Sequence, residues 1–324
     1  MLHKERSFEP LEFSIGDVEK IQRRLKTLNL YKGPIDGLFG GGTEAAVKLF
    51  QKSKKLTIDG KVGPTTWEAL FNEKLDKRPL KEALEYKCLA LTGSIETGQL
   101  IPECFSGLSG NFDGQGISYG ALQWNFGQES LQPLLKEMYE QHPTVMAGAF
   151  HEHLERLMTG LERKDTALAF AANIQHSIKH YVYEPWKGMF KALGRLPEFQ
   201  QIEVTHAKNI FQKALEMCAD YSLWSERGVA LMFDMCVQNG SVSNAIKSKI
   251  LASYKDLKNI KDREHLEVKR MEIIINHRLT KVNARWVEDV KNRKYVIAAG
   301  EGVIHGISYN LASQFDIKLE PFNG

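Results

Sequence analysis

The hydrophobic pattern of the chain begins with a short amphipathic helix. Apolar residues recur there every three or four positions, which places them on one face of a helix. That face carries Val18, Ile21, Leu25 and Leu28. Two further helical patterns follow closely, so residues 16–72 are predicted to form a three-helix domain of a size that can fold alone. We expect residues 1–15 to be a leader and the charged segment 73–82 to be a linker.

A repeated turn motif separates the three predicted helices. Residues 35–40 read Ile-Asp-Gly-Leu-Phe-Gly, and residues 58–63 read Ile-Asp-Gly-Lys-Val-Gly. Glycine tolerates the positive φ of such a turn, and aspartate can bond its own backbone locally. Thr43 is placed to cap the helix after the first turn, and Pro64 suits the first position of the helix after the second.

Residues 16–72 resemble the three-helix peptidoglycan-binding domain found at the ends of many cell-wall hydrolases. The likeness rests on both turns, on the opening Val-x-x-Ile-Gln-x-x-Leu and on the ending Gly-Pro-x-Thr-Trp-x-Ala-Leu. It implies that bacterial peptidoglycan is the partner of this domain. A three-helix packing unit without a ligand is the alternative.

The remaining residues, 83–324, are predicted to be mainly helical. Helix-like apolar spacing occurs over residues 167–176, 200–219, 227–237 and 264–279. Between residues 106 and 125, by contrast, glycines, aromatic residues and polar residues alternate, so we expect a small β-hairpin or irregular sheet. Loops held by a rigid scaffold often carry the chemistry of an enzyme.

Composition excludes several classes of protein. Hydrophobic residues make up 43 % and charged residues 26 % of the chain, as in ordinary globular proteins. We expect no membrane insertion, no secretory signal and no nucleic-acid partner, because the apolar runs are short and the basic residues match no nucleic-acid motif. The four cysteines have no metal-ligand spacing, and His176 and His180 lack the glutamate of a zinc protease. We therefore expect free buried thiols, no metal and no cofactor.

Two carboxylates in the second region fit glycoside hydrolysis. Glu96 ends an apolar stretch, and Asp113 opens the glycine-rich segment seventeen residues later. One acid must protonate the leaving oxygen while the other activates water. Partial desolvation of Glu96 favours its neutral acid form, whereas Asp113 lies in a polar hairpin and stays ionised. Ser118 supplies a hydroxyl that could hold the attacking water. A helix-capping glutamate and a turn-forming aspartate explain the same spacing equally well.

This segment resembles the active-site region of the lysozyme superfamily, and most closely the inverting chitosanase branch. The resemblance assigns Glu96 as the acid, Asp113 as the base and Ser118 as the water-holding hydroxyl, although chitosanases usually carry threonine at that last position. Residues 119–124, Tyr-Gly-Ala-Leu-Gln-Trp, are also similar to a Gly-Leu-Met-Gln strand of goose-type lysozymes and lytic transglycosylases. That likeness implies that Tyr119 and Gln123 line the sugar site.

An acid inside an apolar run marks a later helix. Asp234 is costly to bury unless it is paired, so we expect it to bind a backbone group or an arginine such as Arg285 or Arg293. The surrounding segment resembles the central helix of the same superfamily. Gln238 and Asn239, which follow on this helix, are candidate substrate contacts.

The sequence therefore predicts a mainly α protein with two domains. A small three-helix N-terminal domain precedes a larger α+β, lysozyme-like helical domain with a small β-hairpin. The resemblances imply a phage endolysin: a monomer made in the host cytoplasm that reaches the wall after release and cuts between N-acetylmuramic acid and N-acetylglucosamine. A lytic transglycosylase, a chitosanase and a non-catalytic wall-binding protein remain as alternatives.

Overall fold

The chain divides into two compact units, Met1–Lys81 and Glu82–Gly324, which we call unit 1 and unit 2. In both units the described residues are mainly α-helical, as predicted. The computed structural model describes residues 15–35, 39, 41–60, 62, 64–72, 82–240 and 243–322. Within these ranges, no helix is both long enough and apolar enough to cross a membrane.

The described part of unit 1 contains three helices that share one apolar core. They are α1 (Ile15–Thr27), α2 (Gly41–Ser53) and α3 (Pro64–Phe71). Pro64 begins α3, as its fixed φ led us to expect. Ile21 and Leu25 of α1 pack with Phe50 of α2 and Trp67 of α3 in the core, because each lies on the apolar face of its helix.

Two buried glutamines fasten the turns of unit 1. Gln22 donates from Nε2 to Thr43 Oγ1 at 3.3 Å, and Gln51 donates in the same way to Thr66 Oγ1 at 3.2 Å. Gln51 also accepts a hydrogen bond from the amide of Gly60, which has a φ of 74°. Thr43 lies inside α2 and bonds Gln22, so the expectation that it caps that helix is wrong.

Parts of the sequence interpretation fall outside the described residues. These parts are the leader up to residue 14, most of the first turn (residues 36–38 and 40), residues 61 and 63 of the second turn, and the linker from residue 73 to residue 81.

Unit 2 is built around α4, which is buried over residues 87–95 and packs against α10 and α11. Its helices are α4 (Leu84–Thr97), α5 (Leu131–Gln141), α6 (Pro143–Phe150), α7 (Leu154–Gly160), α8 (Lys164–Asn173), α9 (Trp186–Gly194), α10 (Pro197–Asp220), α11 (Glu226–Asn239), α12 (Asn244–Ser253), α13 (Arg263–Leu279), α14 (Val287–Ala299) and α15 (Leu311–Phe315). The four helical stretches predicted from apolar spacing correspond to α8, α10, α11 and α13.

Short strands interrupt this helical scaffold at two places. Where the sequence predicted a hairpin or irregular sheet, β1 (Leu108–Ser109), β2 (Ser118–Tyr119) and β3 (Trp124–Asn125) form an antiparallel sheet in that order. Near the C-terminus, β4 (Glu301–Ile304) and β5 (Ile307–Asn310) form a hairpin that the sequence interpretation did not include. All four cysteines are free and buried, as expected.

Candidate active site

The three-stranded sheet of unit 2 has one face towards the core and one away from it. Ser118 in β2 is opposite Ser109 in β1 and Asn125 in β3. Side chains alternate between the faces of a strand, so these three share one face, and Tyr119 points to the other. Tyr119 belongs to the hydrophobic core, whereas Ser118 is partly exposed. The sheet therefore presents Ser118 on the face opposite the core.

The loop between β1 and β2 holds Asp113 in an exposed turn. Asp113 Oδ1 accepts a hydrogen bond from the amide of Gln115 at 3.0 Å, and Asn111 Oδ1 accepts one from the amide of Gly116 at 2.9 Å. Gly114 and Gly116 both have a φ of 82°, a conformation that favours glycine. The turn orders the loop and leaves the Asp113 carboxylate in contact with solvent.

Glu96 lies in the last turn of α4, and close packing joins this end of the helix to the sheet. A Cβ atom on Gly107, which precedes β1, would lie 2.3 Å from Thr97 Cγ2. A Cβ atom on Gly93 would lie 2.6 Å from the Cβ of Ala121, which follows β2. Because Gly93 and Gly107 have no side chain, the end of α4 and the sheet can approach each other closely. Thr97, the residue after Glu96, lies at the Gly107 end of the sheet, and Asp113 is in the loop beyond its other end.

A charged pair fixes the orientation of Glu96. The Glu96 side chain is 33 % exposed, and Arg293 on α14 donates from Nη1 to Glu96 Oε1 at 2.6 Å. Arg293 is itself buried and also donates from Nε to both carboxylate oxygens of Asp234, at 3.0 Å each. Its guanidinium therefore joins a partly exposed carboxylate to a fully buried one. The sequence interpretation missed the contact between Arg293 and Glu96.

Asp234 is the buried end of this ion cluster. Lys294 also donates to Asp234, and both side chains are almost completely excluded from solvent. Burial raises the pKa of Asp234, but Arg293 and Lys294 overcome that effect and lower it to about 2. Burial lowers the pKa of Lys294 to about 8, a shift that Asp234 opposes. The expected arginine partner is confirmed as Arg293. The other candidate, Arg285, lies instead over the ring of the neighbouring tryptophan.

Tyr119 does not reach the surface of the site. Its side chain is fully buried, and its hydroxyl donates to the carbonyl oxygen of Phe190 at 2.6 Å. Burial raises the pKa of this hydroxyl well above its usual value. The prediction that Tyr119 contacts substrate is wrong, because strand alternation turns it to the core when its neighbour Ser118 faces outwards.

The side-chain amide of Gln123 links parts of the sheet through hydrogen bonds. Its Oε1 accepts a hydrogen bond from Ser109 Oγ at 2.8 Å, and its Nε2 donates to the carbonyl oxygens of Gly107 and Gly120 at 3.1 and 2.9 Å. Gln123 itself has a φ of 55° in the turn before β3. Its amide is thus engaged within the protein, whereas its side chain is partly exposed, so the predicted contact of Gln123 with substrate stays a prediction. Its hydrogen bonds hold the turn.

Gln238 and Asn239 lie at the end of α11. Gln238 is one turn after Asp234 and shares its face of the helix. Its Oε1 is buried and, over the described residues, has no hydrogen-bond partner. Buried polar atoms are nearly always paired, so this oxygen is open to a ligand or a water. The side chain of Asn239 lies outside the described residues, and its predicted contact with substrate stays a prediction.

The sequence interpretation also missed a buried acid behind the sheet. Glu203 on α10 is fully buried, and its Oε2 accepts a hydrogen bond from the amide of Ala121 at 2.9 Å. Burial raises its pKa well above the usual value for glutamate. One signal was present in the sequence: Glu203 is the single acid in an otherwise apolar i, i+4 stripe with Phe199, Ala207 and Phe211.

Unit 1 contains a cavity of about 670 Å³ between the end of α1 and α2. Tyr31, Pro34 and Thr43 contribute to its lining, and the exposed side chain of Leu49 forms part of its rim. A concave, mainly apolar surface with a few polar groups is typical of a ligand site. In the ranges that the structure describes, no group of three or more histidine, cysteine, aspartate or glutamate side chains could hold a metal ion.

Solved structures similar to this chain are chitosanases. One is a mutant chitosanase from Bacillus subtilis complexed with 6 GlcN, with a TM-score of 0.44 and 14 % identity over 72 % of this chain and 98 % of that one. Another is a Gynuella sunshinyii chitosanase in complex with chitotetraose, with a TM-score of 0.43 and 12 % identity over 71 % of this chain and 98 % of that one.

Curated proteins similar to this chain include spore cortex-lytic enzymes. That of Oceanobacillus iheyensis is 35 % identical over 114 residues, which are 35 % of this chain and 37 % of the relative. That of Bacillus cereus is 42 % identical over 62 residues, which are 19 % of this chain and 24 % of the relative. The chain thus matches well under half the length of these relatives. Residues 14–70 match the family model described as "Putative peptidoglycan binding domain".

Proposed function

We propose that this protein is a peptidoglycan hydrolase of the glycosidase type, in which unit 1 holds the cell wall and unit 2 cuts the glycan strand. The family match over residues 14–70 supports wall binding, and the spore cortex-lytic relatives support a lytic activity. The proposed cut lies between N-acetylmuramic acid and N-acetylglucosamine. Weak wall binding by unit 1 is enough, because tethering raises the local concentration of substrate.

The environment of Glu96 carries this proposal. A general acid has to be held in one orientation and still reach the leaving oxygen of the substrate. Arg293 fixes Oε1 of Glu96, while Oε2 has no hydrogen-bond partner among the described residues and the side chain remains partly exposed. Because Asp234 and Lys294 anchor Arg293 from the buried side, the carboxyl group is pre-organised at the surface.

In the proposed reaction, Glu96 protonates the glycosidic oxygen and Asp113 activates water. Ser118 faces away from the core on the sheet beside the Asp113 loop, where its hydroxyl can orient that water. An inverting glycosidase needs its two carboxyl groups about 6.5–9.5 Å apart, so that water fits between base and sugar. We expect the carboxyl groups of Glu96 and Asp113 to have this wider spacing, rather than the roughly 5 Å of a retaining enzyme. We expect Asp113→Asn to lose most activity, and Ser118→Ala to lose less.

As an endolysin, the protein is proposed to act as a monomer, to remain in the host cytoplasm and to reach the wall after release. The order of its parts, a wall-binding domain followed by a glycosidase, supports this assignment.

Digestion of purified peptidoglycan, followed by mass analysis of the fragments, tests the proposed reaction. Reducing-end muramic acid is the expected product. Anhydro-muramic acid would instead identify a lytic transglycosylase, reducing-end glucosamine a glucosaminidase, and free peptide ends an amidase. If no fragments appear, the protein binds the wall without cutting it.

Glu96→Gln identifies the acid, because it keeps the size of the side chain and removes the transferable proton. We expect activity to fall about 10²- to 10⁴-fold. Glu103→Gln is the matched control, since Glu103 is 31 % exposed and is likewise paired with an arginine, Arg195, at 2.6 Å. Equal activities of the two variants would remove Glu96 from the site.

A further inference from the structure

A patch of aromatic and histidine side chains lies beside Asp113. This aromatic patch consists of Phe112, His176, Ile178, His180, Tyr181 and Tyr183. The members other than the histidines are between 41 % and 79 % exposed, and they are half of the eight large hydrophobic residues that unit 2 exposes over its described ranges. Single exposed hydrophobic residues need no explanation, but a contiguous group usually marks a binding surface.

The rings of the aromatic patch support one another. Phe112 and His180 form an edge-to-face pair with ring centroids 5.3 Å apart. Tyr181 and Tyr183 form a second such pair, with centroids 5.5 Å apart and ring planes at 89°. An edge-to-face contact engages only one face of one ring, so apolar ring surface remains open to solvent. The patch is therefore an ordered group of rings with free faces.

The aromatic patch is formed by the loop between β1 and β2 and by the segment between α8 and α9, and close backbone contacts hold these two segments together. Gln175 Oε1 accepts a hydrogen bond from the amide of Asn111 at 2.8 Å. A Cβ atom on Gly110 would lie 1.6 Å from the carbonyl oxygen of His180, so only glycine allows this approach. Because Asn111 also bonds the turn that contains Asp113, the patch and that carboxylate belong to one surface.

His176 has a structural role within its own turn. Its Nδ1 accepts hydrogen bonds from the amides of Ile178 and Lys179, at 3.1 Å each. The amide of His176 also donates to the carbonyl oxygen of Tyr181 at 2.9 Å. The loop is thus ordered before any ligand arrives, which lowers the entropic cost of binding.

The side chains of the patch select one class of ligand. An aromatic face matches the apolar C–H face of a pyranose ring, and the tyrosine hydroxyls can bond the hydroxyls at the edge of that ring. The exposed charged residues next to the patch are of both signs: Lys179 lies in its turn, and Asp113 and Glu184 directly follow Phe112 and Tyr183. Charge therefore does not decide which pyranose ring binds, and the N-acetylated rings are those of the strand in the proposed function.

We propose that the aromatic patch is a distal sugar subsite that stacks on N-acetylated rings of a glycan strand whose scissile bond lies at Glu96. This inference rests on the proposed function, since it takes the strand to be the substrate of unit 2. It goes beyond that function by naming the residues that bind the strand away from the cut.

The test compares Tyr181→Ala with Tyr139→Ala in the full chain. Tyr139 is a suitable control, because it is exposed to the same extent as Tyr183 but lines a separate cavity on α5. On long, peptide-free glycan strands, we expect Tyr181→Ala to raise KM about 3- to 10-fold with little change in kcat. On the shortest oligosaccharide that the wild type cuts, the two variants should be equal. Equal behaviour on long strands, or an equal loss on the short substrate, would overturn the proposal.

Binding measurements separate this proposal from the proposed function. In full chains that also carry Glu96→Gln, titration with a hexamer of N-acetylglucosamine should show a 3- to 10-fold weaker affinity for Tyr181→Ala than for Tyr139→Ala, about the range expected for one aromatic contact. If the wild type cuts no glycan but this binding difference is found, only the catalytic proposal fails. If Tyr181→Ala changes the oligomeric state instead, the patch is a protein interface.

Discussion

Neutralising Asp234 should destabilise unit 2 far more than neutralising a surface aspartate. In Asp234→Asn, the cationic groups of Arg293 and Lys294 remain buried but lose their shared counter-charge. Removing one partner of a buried ion pair typically costs about 3–5 kcal/mol, because the remaining charge is left uncompensated. For a domain of this size, that corresponds to a fall in Tm of roughly 6–20 °C.

Calorimetry of the full chain measures this effect. Asp220→Asn is the control, since Asp220 pairs with Lys247 at 2.6 Å on the surface, where such a pair contributes about 0–1 kcal/mol. The pKa of Asp234 in the folded protein is about 2, below its unfolded value, so its contribution is complete at neutral pH and disappears as the pH falls through about 2. The Asp234→Asn variant should lack this pH-dependent contribution to stability. Equal Tm values for the two variants at pH 7 would refute the assignment of a buried ion cluster.

Two further changes test other parts of the molecule. Leu49→Ser, at the rim of the unit 1 cavity, should weaken co-sedimentation of the full chain with sacculi. Ile58→Ser is the control and should leave binding unchanged, because Ile58 is 54 % exposed, against 53 % for Leu49, and does not line the cavity. Equal binding by both variants would exclude the cavity as the wall site. Burial raises the pKa of Glu203 in the folded protein, so stability should fall as the pH rises from about 4.3 towards that raised pKa. In Glu203→Gln, the free energy of unfolding in urea should fall less between pH 4 and pH 8 than in the wild type. The same pH dependence in both proteins would contradict a raised pKa of Glu203.

The periodic features of the sequence predicted most of the scaffold. The apolar faces of α1, α10 and α11 repeat within a few turns, so neighbouring residues carry the signal. The partner of Asp234 was predictable for a related reason: a lone acid on a buried helix has to be paired, and Arg293 was one of the two arginines expected to pair with it. The contact between Arg293 and Glu96 joins residues 197 positions apart, and no local pattern reveals it.

The errors at the sheet also have a physical cause. Each of its strands is two residues long, so alternation cannot be recognised from the sequence, and Ser118 and Tyr119 were both assigned to the substrate face. The hydrogen bonds of Gln123 were not predictable either, because they go to backbone carbonyls in a turn whose shape is set by tertiary packing. Side chains at a site follow from the register of neighbouring segments, which a single sequence does not specify.

The missing side chains of Gly93 and Gly107 set how closely the end of α4 approaches the three-stranded sheet. At both positions, an added Cβ would overlap a neighbouring group: Ala121 in one case and Thr97, the residue after Glu96, in the other. An alanine at either glycine would push the acid-bearing helix end and the sheet apart while leaving every charged residue unchanged. The spacing between this helix end and the sheet can thus be altered by one methyl group, without touching the carboxylates to which the proposed reaction assigns the acid and the base.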